Sequence, residues 1–186
     1  MKEPRQINPW VPPYELVAPD GFKLEFLTSF ENTVYLDQQG QAADRAIVSP
    51  RSPVSILQFS VNALPLRHLD FIMENTVDAL VLYGAAIPVK VPDPARFALH
   101  KLAVSQLRPS TKPEKKRKDL LQASALIEYQ IEESPGSLLL ATDAAKAAGV
   151  EFERLIESGL HDMANVGLAE QFTKQFWREA VPIPRP

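Results

Sequence analysis

Apolar positions recur along this chain at two periods, and the change falls near residue 92. The first half alternates over short runs. FKLEFLTS, Phe22 to Ser29, follows an Asp20-Gly21 turn signal and reads as a strand. Leu24, Phe26 and Thr28 fall on one side of it, with Lys23, Glu25 and Leu27 on the other. TVYL at 33–36 reads as a further short strand and the polar stretch 37–53 as loop. VSILQFSV at 54–61 stays open: its β-branched residues favour a strand, yet it runs straight into a helical pattern. That pattern, ALPLRHLDFIMENT at 63–76, spaces Leu66, Leu69, Phe71, Ile72 and Met73 for a helix. DALVLYG (78–84) and IPVKVP (87–92) read as a hairpin around Gly84.

Beyond residue 92 the period lengthens to that of helices. They are expected at 94–108, 113–132, 135–148 and 151–164, with a last one over 167–179. Pro94, Pro113 and Pro135 stand at helix starts, where the N–H that proline lacks would go unused anyway. The fold class is therefore α+β, with a small, incomplete mixed or antiparallel sheet in the first half and a helical bundle in the second. The expected division is 1–92 and 93–186. Residues 1–19, rich in proline, read as an extended arm with Trp10 and Tyr14 as its anchors.

Composition narrows the chemistry. The 186 residues carry a net charge of -3, so no global field draws the chain to nucleic acid or an anionic membrane, and any anion site must be local. There is no cysteine, which excludes disulfides, thiolate nucleophiles and Cys-type zinc sites and fits a reducing, cytoplasmic setting. No apolar run near the N-terminus serves as a signal peptide, and none approaches the roughly 20 residues of a membrane helix. Three histidines without clustered spacing argue against zinc. No Gly-x-Ser-x-Gly, P-loop or dinucleotide fingerprint occurs.

What remains is a concentration of charge around two successive helices. On the first, Phe97, Lys101, Val104 and Arg108 share a stripe, with His100 beside them. The second opens with five lysines or arginines within residues 112–118. Cations at a helix N-terminus oppose the macrodipole, which singles the run out as a lip for phosphates or RNA. Lys118, Asp119 and Gln122 are expected to meet the preceding helix, with Asp119 bonding Lys101 or Arg108. The plain alternative is the solvated edge of two amphipathic helices. Glu25, a lone strand carboxylate, gains meaning only if two further acids converge with it on a divalent metal.

GFKLEFLTS, LPLRHLDFIMENT, VPDPARFALHKLAVSQLR and KRKDLLQASALIE, in that order, resemble a bacterial family of nucleotidyltransferase-fold proteins. That family belongs to the DNA polymerase β-like superfamily and is distantly similar to abortive-infection toxin nucleotidyltransferases. The resemblance covers about residues 14–165, and PDPARFALHKL with KDLLQA is its most specific part. In such proteins a Gly-Ser turn precedes an Asp-x-Asp pair that binds two magnesium ions, and a later strand adds a third carboxylate. The resemblance implies that Glu25 is that third acid, catalytic and metal-binding, and that Lys101, Arg108, Lys118 and Asp119 contact the triphosphate or order the site. His100 is a further candidate beside them.

This chain has no Gly-Ser followed by Asp-x-Asp. It is expected to be the C-terminal portion of such a protein, truncated or split, or a relative whose metal site is lost. The expected function is transfer of a nucleoside monophosphate from an NTP to an acceptor with Mg²⁺, if the acidic pair is supplied elsewhere. The alternative is a non-catalytic module that holds nucleotide, RNA or another protein. Expected partners are an NTP, RNA or a separate N-terminal half, and a second copy through an exposed sheet edge.

Overall fold

The computed structural model describes residues 15–17, 19–21, 23–29, 54–56 and 61–177. Trp10, Tyr14, the strand expected at 33–36 and the loop expected at 37–53 lie outside them. The chain divides into two compact units between Asp70 and Phe71. The class is α+β, with small sheets first and most helices in the second half.

In the first unit, β1 (Glu15–Val17) pairs antiparallel with β2 (Lys23–Glu25). The single strand expected from Phe22 to Ser29 is broken at Phe26, and β3 (Leu27–Ser29) leaves to a different sheet. There β5 (Val61–Leu66) lies between β3, parallel to it, and β4 (Val54–Ile56), antiparallel to it. The sheet is thus mixed. The helix expected over 63–76 shrinks to α1 (Leu69–Met73), because ALPL joins β5 instead. β5 accommodates Pro65 opposite Thr28, beyond the rungs that β5 shares with β4. His68, in the left-handed region at φ 60°, turns the chain between strand and helix.

The second unit opens with a long antiparallel hairpin, β6 (Thr76–Tyr83) and β7 (Ala85–Pro92), turning at Gly84 with φ 66°. Five helices follow: α2 (Pro94–Gln106), α3 (Pro113–Glu133), α4 (Pro135–Ala147), α5 (Val150–His161) and α6 (Val166–Phe172), which runs into a π-helical turn at Thr173–Trp177. Each of the first three has its expected proline at its first position. Asp93 caps α2, its carboxylate accepting from Arg96 N at 3.0 Å. The Arg96 guanidinium donates to Phe71 O at 2.7 Å and Glu74 at 2.8 Å, tying α2 back to the segment that enters the hairpin.

α2 is the central helix, packed against α3, α4 and α5. Leu99, Leu102 and Ala103 of α2 are fully buried with Ile127, Leu138, Phe152 and Ile156 from its neighbours. Phe71 meets Phe152 with ring centroids 4.8 Å apart. α5 crosses α2 closely at Gly159, where an added Cβ would lie 2.7 Å from Leu102 O. Only a residue without a side chain permits that approach.

Candidate functional site

The buried positions of α3 are Asp119, Ala123, Ile127 and Gln130, a single helical stripe facing α2. Asp119 occupies the first place on it and is only 2% exposed. Two cations reach it from α2 and the turn that follows. Lys101 Nζ donates to Asp119 Oδ1 at 2.8 Å, and Arg108 Nε to Oδ2 at 2.7 Å. The spacing explains the convergence: Lys101 lies on the side of α2 that faces α3, and Arg108 follows seven residues later, just past the helix end. The Lys101 ammonium also rests over the Phe97 ring, 5.1 Å from its centroid. Burial pushes the Asp119 carboxyl up. The hydrogen bonds from Arg108 and Lys101, with the charges of both, outweigh that and hold it below the ordinary carboxylate range.

A second clasp lies alongside. Lys116 of α3 pairs with Asp162, just past α5, at 2.6 Å. Gln106 Nε2 donates to the same carboxylate at 3.1 Å. The Lys116 hydrogen bond, against a smaller push from burial, holds Asp162 below its usual range. Together the clasps tie α2, α3 and the end of α5 with carboxylates shared between helices. This second group was not legible in the sequence. Lys116 is one cation in a run of five, and Asp162 lies 46 positions beyond it, so no local period links them.

The expected site residues therefore separate. Lys101, Arg108 and Asp119 come together. His100 is buried on α2. Lys118 does not join them: one position before Asp119 on a helix, it points about 100° away, and it is exposed with Arg117 along a shallow concavity that Glu114, Leu121 and Gln122 also line. Lys112 and Lys115 are exposed as well. A larger groove of about 740 Å³, lined by Leu160, Met163, Ala169 and Trp177, includes none of the expected site residues.

Glu25 lies exposed on β2 in the first unit, in register with Glu15 of β1. Among the described residues no group of three or more His, Asp or Glu side chains is placed to hold a metal ion. The donor set that two-magnesium chemistry needs is not made by these residues, and Glu25 alone does not fit it.

A family model described as Nucleotidyltransferase matches residues 14–148, from β1 through α4. The chain belongs to that nucleotidyltransferase family. No curated protein and no solved structure matches it. The nucleotidyltransferase match contains Glu25, the whole hairpin and the Lys101·Asp119·Arg108 clasp, and it ends before Asp162. No helix among the described residues is long and apolar enough to cross a membrane.

Proposed function

We propose that this chain serves nucleotidyl transfer from an NTP to an acceptor in the cytoplasm, contributing the helical side of the site while residues other than those described supply the acidic pair for Mg²⁺. The observation that carries the reading is the family match, which runs unbroken through Glu25 and both helices of the charged junction. In this reading Glu25 is the surviving catalytic and metal-binding carboxylate. Lys118 is an exposed phosphate contact. Lys101 and Arg108 act through what their bonds to Asp119 leave open; Arg108 is the more accessible, with its side chain 32% exposed. Asp119 orders both cations, and His100 supports them from within the helix.

One observation favours a second reading, a non-catalytic module that holds nucleotide, RNA or a separate N-terminal half. Both cations expected to grip phosphate are already bonded to Asp119, so that cluster carries a net charge of only one unit. A module would bind through the exposed Lys112, Lys115, Arg117 and Lys118 without metal.

Calorimetric titration of the chain with each of the four NTPs, with and without Mg²⁺, separates the two. Nucleotidyl transfer predicts binding that strengthens with Mg²⁺, loses that dependence in Glu25→Ala, and weakens about tenfold in Lys118→Ala, the size of one lost charge-assisted contact. Metal-independent binding, unaffected by Glu25→Ala, establishes the module instead. Absence of NTP binding under all conditions overturns nucleotidyl transfer and leaves the module only RNA or a separate N-terminal half to hold.

A further inference from the structure

The hairpin β6–β7 forms a two-stranded sheet, with no further strand paired to it among the described residues. Its phase follows from one bond just beyond its base: Asp93 N donates to Asn75 O at 3.1 Å. Residues 75 and 93 are the next rung of the same register. In an antiparallel ladder, hydrogen-bonded and non-bonded pairs alternate. The pairs 77·91, 79·89 and 81·87 therefore carry the inward bonds, and the even-numbered residues turn their N–H and C=O groups outward.

The two outward edges differ. On β7 the outward positions are Ala86, Pro88, Lys90 and Pro92, so two of the four have no N–H to offer. Proline and lysine on an edge are what keep another strand off it. On β6 the outward positions are Thr76, Asp78, Leu80 and Leu82, and all four carry an N–H. Only Asp78 blunts the β6 edge, and its charge is paired to Lys90 of the same chain; the strand holds no proline, glycine or lysine. Leu80 is 64% and Leu82 82% exposed at its free end. Six odd-numbered positions of the hairpin, Val77, Ala79, Val81, Ile87, Val89 and Val91, are aliphatic. A two-stranded hairpin is marginal in water, and a sheet of more strands is what stabilises it.

We propose that the outer edge of β6 pairs antiparallel with β6 of a second copy of this chain, closing a two-fold dimer around a continuous four-stranded sheet. A second copy fits for three reasons. Among the described residues each chain offers one unpaired edge and one proline-blunted edge, so pairing ends at two copies rather than growing into a fibre. Pairing centred on Val81 sets Leu80 opposite Leu82 of the other copy in both directions, so the most exposed apolar side chains meet each other. The same register holds the two Asp78 carboxylates at opposite ends, each already paired to Lys90 of its own chain at 2.7 Å, so no like charges face across the seam.

The test is the mass of the full chain in solution, by light scattering or sedimentation, up to about 100 µM, with amide exchange at β6. The native chain is expected at twice its 20.7 kDa, with the Leu80 and Leu82 amides protected. Leu80→Pro removes an outward N–H without touching the inward ladder, as Pro88 does on the other strand. Leu82→Lys places a charge on the edge. Both are expected to run at the mass of one chain with unchanged far-UV circular dichroism, their β6 outward amides exchanging freely; Leu82→Lys stands as the test if Leu80→Pro does not fold. A native chain that stays monomeric at every concentration, as it would if a different protein's strand filled the edge, overturns the proposal. So does a dimer that survives the folded edge variants with the Leu82 amide unprotected.

Discussion

Asp119 is the residue on which the charged junction turns, because its place at the head of a buried stripe forces a carboxylate inside. A buried, unpaired carboxylate is costly, and two cations, one from α2 and one from the turn that follows it, remove that cost. The burial and the pairing together make it a structural latch, whatever it also does for a ligand. Asp119→Asn keeps the shape and deletes the charge, leaving Lys101 and Arg108 facing each other without their shared acid. A loss of about 2–4 kcal/mol in urea unfolding is expected, the lower part of that range reflecting the partial exposure of both cations. The pH dependence has a definite sign. The folded-state carboxyl lies below the unfolded value near 3.8, so its contribution is fully present above that value and is lost as pH falls through the folded one. The native chain should therefore lose stability on acidification below about pH 4, and Asp119→Asn should lose less over the same window. Equal acid slopes for the two proteins would show that the clasp contributes nothing. Legibility at this scale was partial. Lys101, Arg108 and Asp119 were readable as a group because helical spacing alone brings them to one junction. Lys118 was assigned to the same face, yet adjacent helical positions diverge, and only one of Lys118 and Asp119 can point inward.

At the scale of elements, the close crossing of α5 over α2 is the contact most sensitive to one atom. Glycine in a helix interior costs about 1 kcal/mol relative to alanine, so its presence at 159 needs a compensating reason. The 2.7 Å approach of a Cβ to the Leu102 carbonyl supplies it. Gly159→Ala should destabilise by about 1–3 kcal/mol despite the better propensity, because neither backbone can give way without disturbing Leu99 and Leu102. Gly136→Ala, in the first turn of α4 with no heavy atom near the added Cβ, should be neutral or stabilising by up to about 1 kcal/mol. Thermal melts of the pair test this directly, and equal effects would remove the steric argument. The elements themselves were legible where their signals are local. Prolines 94, 113 and 135 announced three helices within a residue or two at each start, and Gly84 announced the hairpin. β3 falls inside the strand expected at 22–29 and β4 inside the stretch 54–61 left open, but the parallel pairing of β3 with β5 was not legible, because it joins segments more than thirty residues apart. Pro65, leucine-flanked, reads as a helical neighbour until the sheet that holds it is known. The signal for Gly159 was present, an isolated glycine inside a helical pattern, but its partner on α2 is invisible to local spacing.

At the scale of the molecule, the two compact units differ in what can stabilise them. The first contains ladders of three residues such as β1–β2, where Lys23, Leu24 and Glu25 are all exposed. The second holds a helical core in which Leu99, Leu102, Ile127, Leu138, Phe152 and Ile156 are fully enclosed. Protection against amide exchange follows buried apolar contact and the length of hydrogen-bonded structure, not membership of a family. The family match crosses the junction of the units all the same, so a shared function is asked of parts with unequal local stability. Exchange measured by mass spectrometry should accordingly find α2, α3 and α5 slowest, opening only with global unfolding, and peptides covering 15–29 faster by at least about a hundredfold, equivalent to some 2.7 kcal/mol of difference in opening free energy. Added NTP with Mg²⁺ then becomes informative in a way that affinity alone is not. A ligand that engages Glu25 together with the helical junction must slow exchange in both sets of peptides, because binding stabilises whatever it contacts. A ligand held by the exposed lysines of α3 alone must protect the helices and leave 15–29 unchanged. Protection confined to α3 would assign the chain to metal-free binding, and protection that reaches β2 would assign it to nucleotidyl transfer.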